Sequence, residues 1–177
     1  DKDNNWIFPD DVFSKDGKNY FLNNNPTEKV IVGPSESMSK SKKNTIDPEK
    51  IIKMYGADAV RLFILSDSPP EKDVQWSDTG ISASYKFLQK LWTLHEKIIL
   101  NKKKFSKFDE DLEKFTNQII YKINNDLERF GFNVVIASIH KIYSFYNQQI
   151  NKEDWGNNFE KNYVNILKVL NSIVPHF

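Results

Sequence analysis

The segment from Gly33 to Pro48, GPSESMSKSKKNTIDP, holds the residues of this chain whose types and spacing could do chemistry. We call it the lysine loop, because Lys40, Lys42 and Lys43 fall within four positions of a serine-rich stretch. Ammonium groups on a freely bending backbone can surround a polyphosphate and neutralise the negative charge that builds up on it. The lysine loop is therefore predicted to bind phosphate groups.

The elements on either side of the lysine loop must position it. The β-branched run Val30–Val32 before the loop predicts a buried strand. After it, Asp47 as a cap, Pro48 at the first helical position and Glu49 in the first turn predict a helix that ends at Gly56. Phosphate sites recur where a strand leads into a helix, which favours phosphate binding over the alternative of a solvated basic linker.

The region before the lysine loop consists of short apolar clusters separated by turn residues, which predicts strands and hairpins. The clusters are Trp6–Phe8, Val12–Phe13 and Tyr20–Leu22, and Asp16–Gly17 between the last two predicts a hairpin turn. A second helix is predicted from Ala57 to about Leu65, with Val60, Phe63 and Ile64 on one side, ended by Ser68-Pro69-Pro70.

Four amphipathic helices are predicted after residue 80, because apolar residues recur there at spacings of three and four. The first is capped by Ser77 or Asp78, and Gly131 separates the second from the third. The chain is therefore predicted to be α+β overall and mainly α, with a small β-rich N-terminal part and an up-and-down four-helix bundle. The four apolar stripes are Ile81-Tyr85-Leu88-Trp92-His95-Ile99, Leu112-Phe115-Ile119-Ile123-Leu127-Phe130, Val135-Ile139-Ile142-Tyr146-Ile150 and Phe159-Val164-Leu167-Leu170-Val174.

The composition excludes several classes of site. The 177 residues contain no cysteine, so disulfides, a cysteine-ligated zinc and a thiol nucleophile are excluded. Three separated histidines are a poor metal site, so neither zinc nor another bound metal is expected. No apolar run approaches the length of a membrane span, and no secretory signal opens the sequence. Because the chain begins in a polar stretch without a methionine, we expect it to be a piece of a longer protein.

Other conspicuous side chains are interpreted as structural. Asp58 and Arg61 lie one helical turn apart, which is more typical of an ion pair than of a substrate site. Trp76 beside a helix cap is interpreted as a packing anchor rather than a base-stacking residue. The aromatic stripes Phe87-Trp92 and Tyr143-Phe145-Tyr146 have helical spacing and are predicted to be core.

The sequence also resembles a known family. MSKSKKNTIDP, followed by Tyr55–Arg61, is similar to the KMSKS region of class I aminoacyl-tRNA synthetases. Pro69–Asp78 resembles the Pro-Pro-Glu and Trp-Ser-Asp stretch of the leucyl group more than its isoleucyl and valyl equivalents. Phe132–Ala137 is similar to a motif of that group's anticodon-binding bundle. The resemblance covers roughly residues 33 to 177 and is strongest from 38 to 78.

The resemblance implies roles for single residues of the lysine loop. Lys40 takes the place of the second lysine of KMSKS, which makes it the expected catalytic residue that contacts the ATP phosphates. Met38, Ser39 and Ser41 occupy the other matching places and are expected to bind ATP. Ser37 stands where the motif has its first lysine, and Lys42 or Lys43 could partly replace that charge.

The resemblance further implies a leucine–tRNA ligase that uses ATP with Mg²⁺, a cytoplasmic location, a monomer, and tRNA(Leu) as partner. It divides the chain into a β-rich end of the catalytic domain or an insertion (1–36), the KMSKS-like loop with a stem-contact region (37–80), and a truncated anticodon-binding bundle (81–177). Exposed basic residues of the bundle would hold the tRNA body through its phosphates. The candidates are Lys86, Lys90, Arg129 and Lys141, with Lys102, Lys103 and Lys104.

Two alternatives stay open at the level of sequence. One is a segment of an isoleucyl-, valyl- or methionyl-tRNA synthetase, and the other is a non-catalytic helical RNA-binding module. The HIGH motif, the nucleotide-binding sheet and an editing domain do not occur in the 177 residues. The chain by itself is therefore expected not to activate leucine.

Overall fold

A computed structural model describes residues 1–101 and 103–177. These residues form two compact units, Asp1–Ile51 and Ile52–Phe177. The described part contains three strands in the first unit and is dominated by helices in the second. The predicted class, α+β and mainly α, is confirmed.

The first unit is built on a three-stranded antiparallel sheet in the order β1 (Val12–Ser14), β2 (Tyr20–Leu22) and β3 (Lys29–Val30). The predicted hairpin turn joins β1 to β2. Gly17 has a φ of 73°, a left-handed conformation that glycine adopts without steric cost. Hydrogen bonds from the backbone N–H groups of Asn19 and Lys18 lower the pKa of the Asp16 carboxyl to about 2. The turn chemistry was thus readable from the sequence.

Two strand predictions in this unit are wrong. Trp6–Phe8 lies outside the strands and leads into a short 3₁₀ turn at Pro9–Asp11. The run Val30–Val32 is not a buried strand, because β3 ends at Val30, and Ile31 and Val32 are 85% and 60% exposed. The reason is the length of the partner strand: Val30 pairs with Tyr20, the first residue of β2, so the ladder has no further partner in that strand.

Helices α1 (Pro48–Tyr55) and α2 (Ala57–Asp67) begin and end as the sequence predicts, apart from two extra residues at the end of α2. The Asp47 carboxylate accepts a hydrogen bond from the backbone N–H of Glu49 at 3.0 Å, and Gly56 has a φ of 82° between the helices. The buried face of α2 comprises Asp58, Ala59, Leu62 and Phe63. Ile64, which the spacing places on the same side as Phe63, is 46% exposed.

Helix α3 (Asp78–Leu100) is capped by Ser77, whose hydroxyl accepts a hydrogen bond from the Gly80 N–H at 3.1 Å. Ile81 is buried as predicted and Leu88 packs partly buried against the core, but other members of the predicted stripe lie beside the buried face. Trp92 and Ile99 are 48% and 63% exposed. Two neighbouring faces of this helix both show apolar spacing, and packing against α2 and α5 selects one of them. The selected face consists of Ile81, Phe87, Leu91, Leu94 and Ile98.

The remaining helices are α4 (Glu110–Glu128), α5 (Phe132–Gln149) and α6 (Phe159–Leu170). The break at Gly131 is confirmed, and the stripe from Val135 to Tyr146 is buried as predicted. Helix α4 packs against α5 and α6, whereas α2 packs against α3 and α5. Helix α2 therefore contributes to the same core as the predicted bundle, and its Leu62 belongs to that core.

Two connections between helices are joined to each other. β4 (Phe105–Ser106), which follows α3, pairs in parallel with β5 (Trp155–Gly156), which precedes α6. The Trp155 indole is 3% exposed, stacks on Phe159 with ring centroids 4.0 Å apart, and donates its N–H to the Gln149 carbonyl at 3.0 Å. The Lys103 ammonium donates to the carbonyls of Ile150 and Lys152. We call β4, β5 and these contacts the loop bridge.

Helix α2 is also held to the last residues of the chain. The Arg61 guanidinium donates to the carbonyls of Ile173 and Ser172 at 2.9 and 3.2 Å. The Asp58 carboxylate accepts from the backbone N–H of His176 at 2.9 Å and lies 2.9 Å from that ring's Nδ1. Asp58 and Arg61 thus have structural partners near the end of the chain, and they do not pair with each other.

Candidate functional site

The lysine loop lies between β3, which ends at Val30, and α1, which begins at Pro48, but the buried strand predicted directly before the loop is not formed. Within the loop the chain makes a tight turn. The Lys42 N–H donates to the Ser39 carbonyl and the Lys43 N–H to the Lys40 carbonyl, each at 3.2 Å. Lys43 follows with a φ of 52°, a left-handed conformation that costs a non-glycine residue about 1–2 kcal/mol. Such strain persists where neighbouring contacts hold the backbone in place.

Lys40 lies at the start of this turn with an exposed side chain. Among the hydrogen bonds and ion pairs of residues 1–101 and 103–177, none involves its ammonium group. An ammonium group without a protein partner can bind a phosphate oxygen without first breaking an ion pair. Of the three loop lysines, Lys40 is the one whose ammonium contacts neither a carboxylate nor an aromatic ring within the described residues.

The ammonium groups of the other two loop lysines contact protein side chains. Lys42 forms an ion pair and hydrogen bond with Glu36, and its ammonium lies 5.8 Å from the centroid of the Trp6 ring. The Lys43 ammonium lies 5.2 Å from the centroid of the Phe8 ring. Cation–π contacts of this kind contribute about 0.5–1 kcal/mol at exposed sites. Replacement of the motif's missing first lysine by Lys42 would therefore require its contact with Glu36 to open.

The other predicted nucleotide-binding residues lie around Lys40. Met38 is 49% exposed. The hydroxyls of Ser39 and Ser41 are 2.8 Å apart and hydrogen-bonded to each other. The backbone N–H of Ser39 donates to the side-chain oxygen of Asn44 at 2.7 Å, so this donor is already used inside the loop. Sequence reasoning missed Asn44, because an asparagine after a lysine run has no distinguishing spacing.

The predicted tRNA-binding residues fall into two groups. Lys86 and Lys90 are exposed on α3 and line a groove of about 350 Å³ against Tyr143 and Asn147 of α5. Lys97 lines the same groove, and sequence reasoning missed it although it continues the helical face of Lys86 and Lys90. The described lining of this groove contains no carboxylate. We call it the α3–α5 groove.

The remaining basic candidates are not part of this groove as described. Lys141 is exposed on α5, and Arg129 follows the last residue of α4. Lys104 is exposed, whereas Lys103 is held in the loop bridge and is therefore structural. Lys102 lies outside the described residues. The structure thus brings Lys86 and Lys90 together and leaves Arg129 at a helix end.

The histidines are used in packing. His95 Nδ1 lies 2.8 Å from the Tyr163 hydroxyl, and His140 packs against Phe87 with ring centroids 3.8 Å apart and the rings tilted by 35°. Desolvation of the His140 ring lowers its pKa. In the part of the chain that the structure describes, no three histidine or acidic side chains gather as a metal-binding group. None of its described helices combines the length and apolar character needed to cross a membrane.

Trp76 is the packing anchor that the sequence predicts. Its ring meets Phe63 of α2 edge-on with centroids 5.4 Å apart, and its indole N–H donates to Asp78 at 2.9 Å. Of the predicted aromatic core, Phe87 and Tyr146 are buried. Trp92 is not, and it instead packs edge-on against Phe177 at 5.7 Å.

Comparison with known proteins identifies relatives of this chain. Residues 30–77 match the family described as class I tRNA synthetases for isoleucine, leucine, methionine and valine. The chain is 39% identical over 178 residues to a leucine–tRNA ligase of Rickettsia bellii and 39% identical over the same length to that of Rickettsia prowazekii. Each match covers 99% of this chain and 21% of the relative, so the chain spans about a fifth of these curated relatives.

A solved structure has the same fold. It is the leucyl-tRNA synthetase of Agrobacterium radiobacter K84 in a ternary complex with tRNA and LeuAMS, and the TM-score is 0.66 at 23% identity. The match covers 78% of this chain and 19% of the synthetase. The solved structure thus shows the same fold, and the sequence matches show that nearly the whole chain is homologous to a segment of leucine–tRNA ligases, about a fifth of their length.

Proposed function

We propose that this chain is part of a leucine–tRNA ligase, which activates leucine with ATP to leucyl-adenylate and transfers the leucyl group to tRNA(Leu). The observation that carries the proposal is Lys40, exposed and without a hydrogen bond or ion pair to residues 1–101 and 103–177, in a segment that matches leucine–tRNA ligases in sequence. The 177 residues would supply the lysine loop and the helical bundle, while the rest of the enzyme supplies the leucine pocket and the remaining nucleotide contacts.

The proposed role of Lys40 follows from where charge moves in the activation step. The leucine carboxylate attacks the α-phosphorus of ATP, the bond from that phosphorus to the bridging oxygen breaks, and pyrophosphate leaves with additional negative charge. An ammonium group against these oxygens binds the transition state more tightly than the ground state, which accelerates the reaction. Met38, Ser39 and Ser41 would line the nucleotide, and Mg²⁺ would arrive with the ATP phosphates.

We propose that the α3–α5 groove binds the phosphate backbone of tRNA(Leu). Its three lysines lie on one helix face, beside the amide of Asn147 and the ring of Tyr143. Helix α5 contains no acidic residue, whereas α4 opens with Glu110, Asp111 and Glu113. The net charge of the chain is therefore near neutral, at +1, although the face that carries the α3–α5 groove is basic. Contacts of this kind position an RNA without reading its sequence.

Substitution of Lys86, Lys90 and Lys97 together by alanine is expected to weaken tRNA(Leu) binding and to reduce the slope of log Kd against log salt by about two, because fewer counterions are released. The measurement is a salt series of filter-binding titrations with the complete enzyme. The matched control removes three lysines from α4 and α6: Lys114, Lys161 and Lys168. Equal slopes in the two triple variants would contradict the role of the groove.

A single variant tests the catalytic proposal against its rivals. In the complete enzyme, Lys40→Ala should abolish most leucine-dependent ATP–pyrophosphate exchange and leave tRNA(Leu) affinity nearly unchanged. A non-catalytic RNA-binding module would give the reverse, with weakened RNA binding and no exchange to lose. Exchange that depends on isoleucine, valine or methionine instead of leucine would assign the segment to a sister enzyme.

We also propose the functional division into 1–36, 37–80 and 81–177, with the β-rich end of the catalytic domain first and the anticodon-binding bundle last. The compact units divide between Ile51 and Ile52, so α1 runs from the first unit into the second. The enzyme is proposed to work as a monomer in the cytoplasm, where its tRNA substrate is charged.

A further inference from the structure

The side chain of Asn44 connects two points of the lysine loop that lie on the N-terminal side of Lys40. Its oxygen accepts a hydrogen bond from the Ser39 N–H at 2.7 Å, and its NH₂ group donates to the Ser37 carbonyl at 3.3 Å. The two bonds bracket Met38 and close the loop across a span of five to seven residues. Asn44 therefore acts as a staple between the two arms of the loop.

The staple determines where the side chain of Lys40 leaves the backbone. The tight turn starts at Ser39, whose carbonyl accepts from Lys42, and Asn44 holds the N–H of that same residue. Ser39, the residue before Lys40, is thus held through both its N–H and its carbonyl. A backbone fixed in advance loses less freedom when its ammonium binds a phosphate, which is the advantage of a preorganised charge.

Asn44 is placed to act through the loop rather than on a ligand of Lys40. It is partly buried and lines a cavity of about 640 Å³ in the first unit, together with Trp6, Val30 and Glu36. Lys40 is exposed and is not among the residues of that cavity. A partly buried hydrogen bond is shielded from competing water, so it can hold the turn persistently.

We propose that Asn44 is a positioning residue that holds the turn of the lysine loop so that Lys40 meets the departing pyrophosphate. The inference rests on the proposed function, since it needs Lys40 to act in the activation step. It predicts that Asn44 contributes to the rate only while Lys40 is present.

The test is a double-mutant cycle in the complete enzyme, measured by leucine-dependent ATP–pyrophosphate exchange. Asn44→Ala is expected to lower kcat about 10- to 100-fold, because a small misplacement of a catalytic group has effects of that size. KM for ATP should change by less than about 3-fold if the lost interaction belongs to the transition state. In the Lys40→Ala background, the same substitution should cost less than about 3-fold, because the two residues act as a unit.

The control is Asn24→Ala, which removes an exposed asparagine from another loop of the same unit and should leave exchange unchanged. Thermal melting of each variant checks the fold. Should Asn44→Ala unfold at the assay temperature, the double-mutant cycle is repeated with Asn44→Asp. This variant keeps the acceptor for the Ser39 N–H and loses the donor to the Ser37 carbonyl.

The outcomes separate this inference from the proposed function. An equal loss from Asn44→Ala with and without Lys40, or no loss in either background, overturns the positioning role while leaving the role of Lys40 intact. If Lys40→Ala alone leaves exchange unchanged, the proposed function fails first. A loss confined to the background that contains Lys40 supports the inference.

Discussion

Replacement of Lys40 by alanine in the complete enzyme is expected to lower the kcat of leucine-dependent ATP–pyrophosphate exchange by about two to three orders of magnitude, the usual cost of removing one preorganised charge partner from a transition state. The effect should fall on kcat more than on KM, because the charge on pyrophosphate develops only as the bond to the α-phosphorus breaks. Steady-state exchange at varied ATP concentration measures both constants.

The neighbouring lysine provides the matched control for this prediction. Lys42 is already paired with Glu36, so Lys42→Ala should cost much less than Lys40→Ala. Lys40→Arg keeps the charge but changes its shape and reach, and should recover only part of the lost rate. If Lys42→Ala is the more damaging variant, the assignment of the catalytic charge to Lys40 is wrong.

The largest effect on stability is expected from Trp155→Ala, which removes the central side chain of the loop bridge. The ring is 3% exposed and stacks on Phe159, and its N–H satisfies the Gln149 carbonyl. Loss of a buried aromatic ring costs about 3–5 kcal/mol, part of which is the cavity that remains. Urea unfolding of the chain followed by circular dichroism should report the decrease in the free energy of unfolding.

A second tryptophan tests whether burial or residue type causes this loss. Trp92 is 48% exposed, so Trp92→Ala should reduce the free energy of unfolding by a smaller amount. Phe159→Ala should approach the cost of Trp155→Ala, because Phe159 is 1% exposed and is the stacking partner. Similar losses from the two tryptophan variants would contradict the structural importance of the loop bridge.

Features that depend on local chemistry were predictable from the sequence. Asp47, Pro48 and Gly56 set the bounds of α1, and Ser77 caps α3, because capping and positive φ values are properties of single residue types. The amphipathic helices from residue 78 onward were predictable for the same reason, because the spacing of apolar residues along one helix can be read from neighbouring positions. Element boundaries in the bundle consequently agree within a few residues.

Features that depend on packing were not predictable. In α3 the set Phe87, Leu91, Leu94 has the same spacing as the set that includes Trp92, and only the neighbouring helices decide which is buried. Ile31 and Val32 look like a buried strand, but the short β2 offers them no partner.

The candidate site likewise contains features that the sequence predicts and features that it does not. Lys40 was predictable from motif spacing, whereas the staple made by Asn44 and the pairing of Lys42 with Glu36 appear only when the loop is folded. Lys97 could have been found by extending the helical face of Lys86 and Lys90, because it lies seven residues beyond Lys90.

The bonds from Asp58 and Arg61 to the last residues of the chain have a consequence for biosynthesis. Their partners lie 118 and 112 positions later, so helix α2 emerges from the ribosome long before the carbonyls and N–H group that satisfy it. At elongation rates of about 5–20 residues per second, the delay is on the order of ten seconds. During that interval Asp58 and Arg61 of the nascent chain lack these partners, so α2 completes its hydrogen bonds only after residues 172–176 have been synthesised.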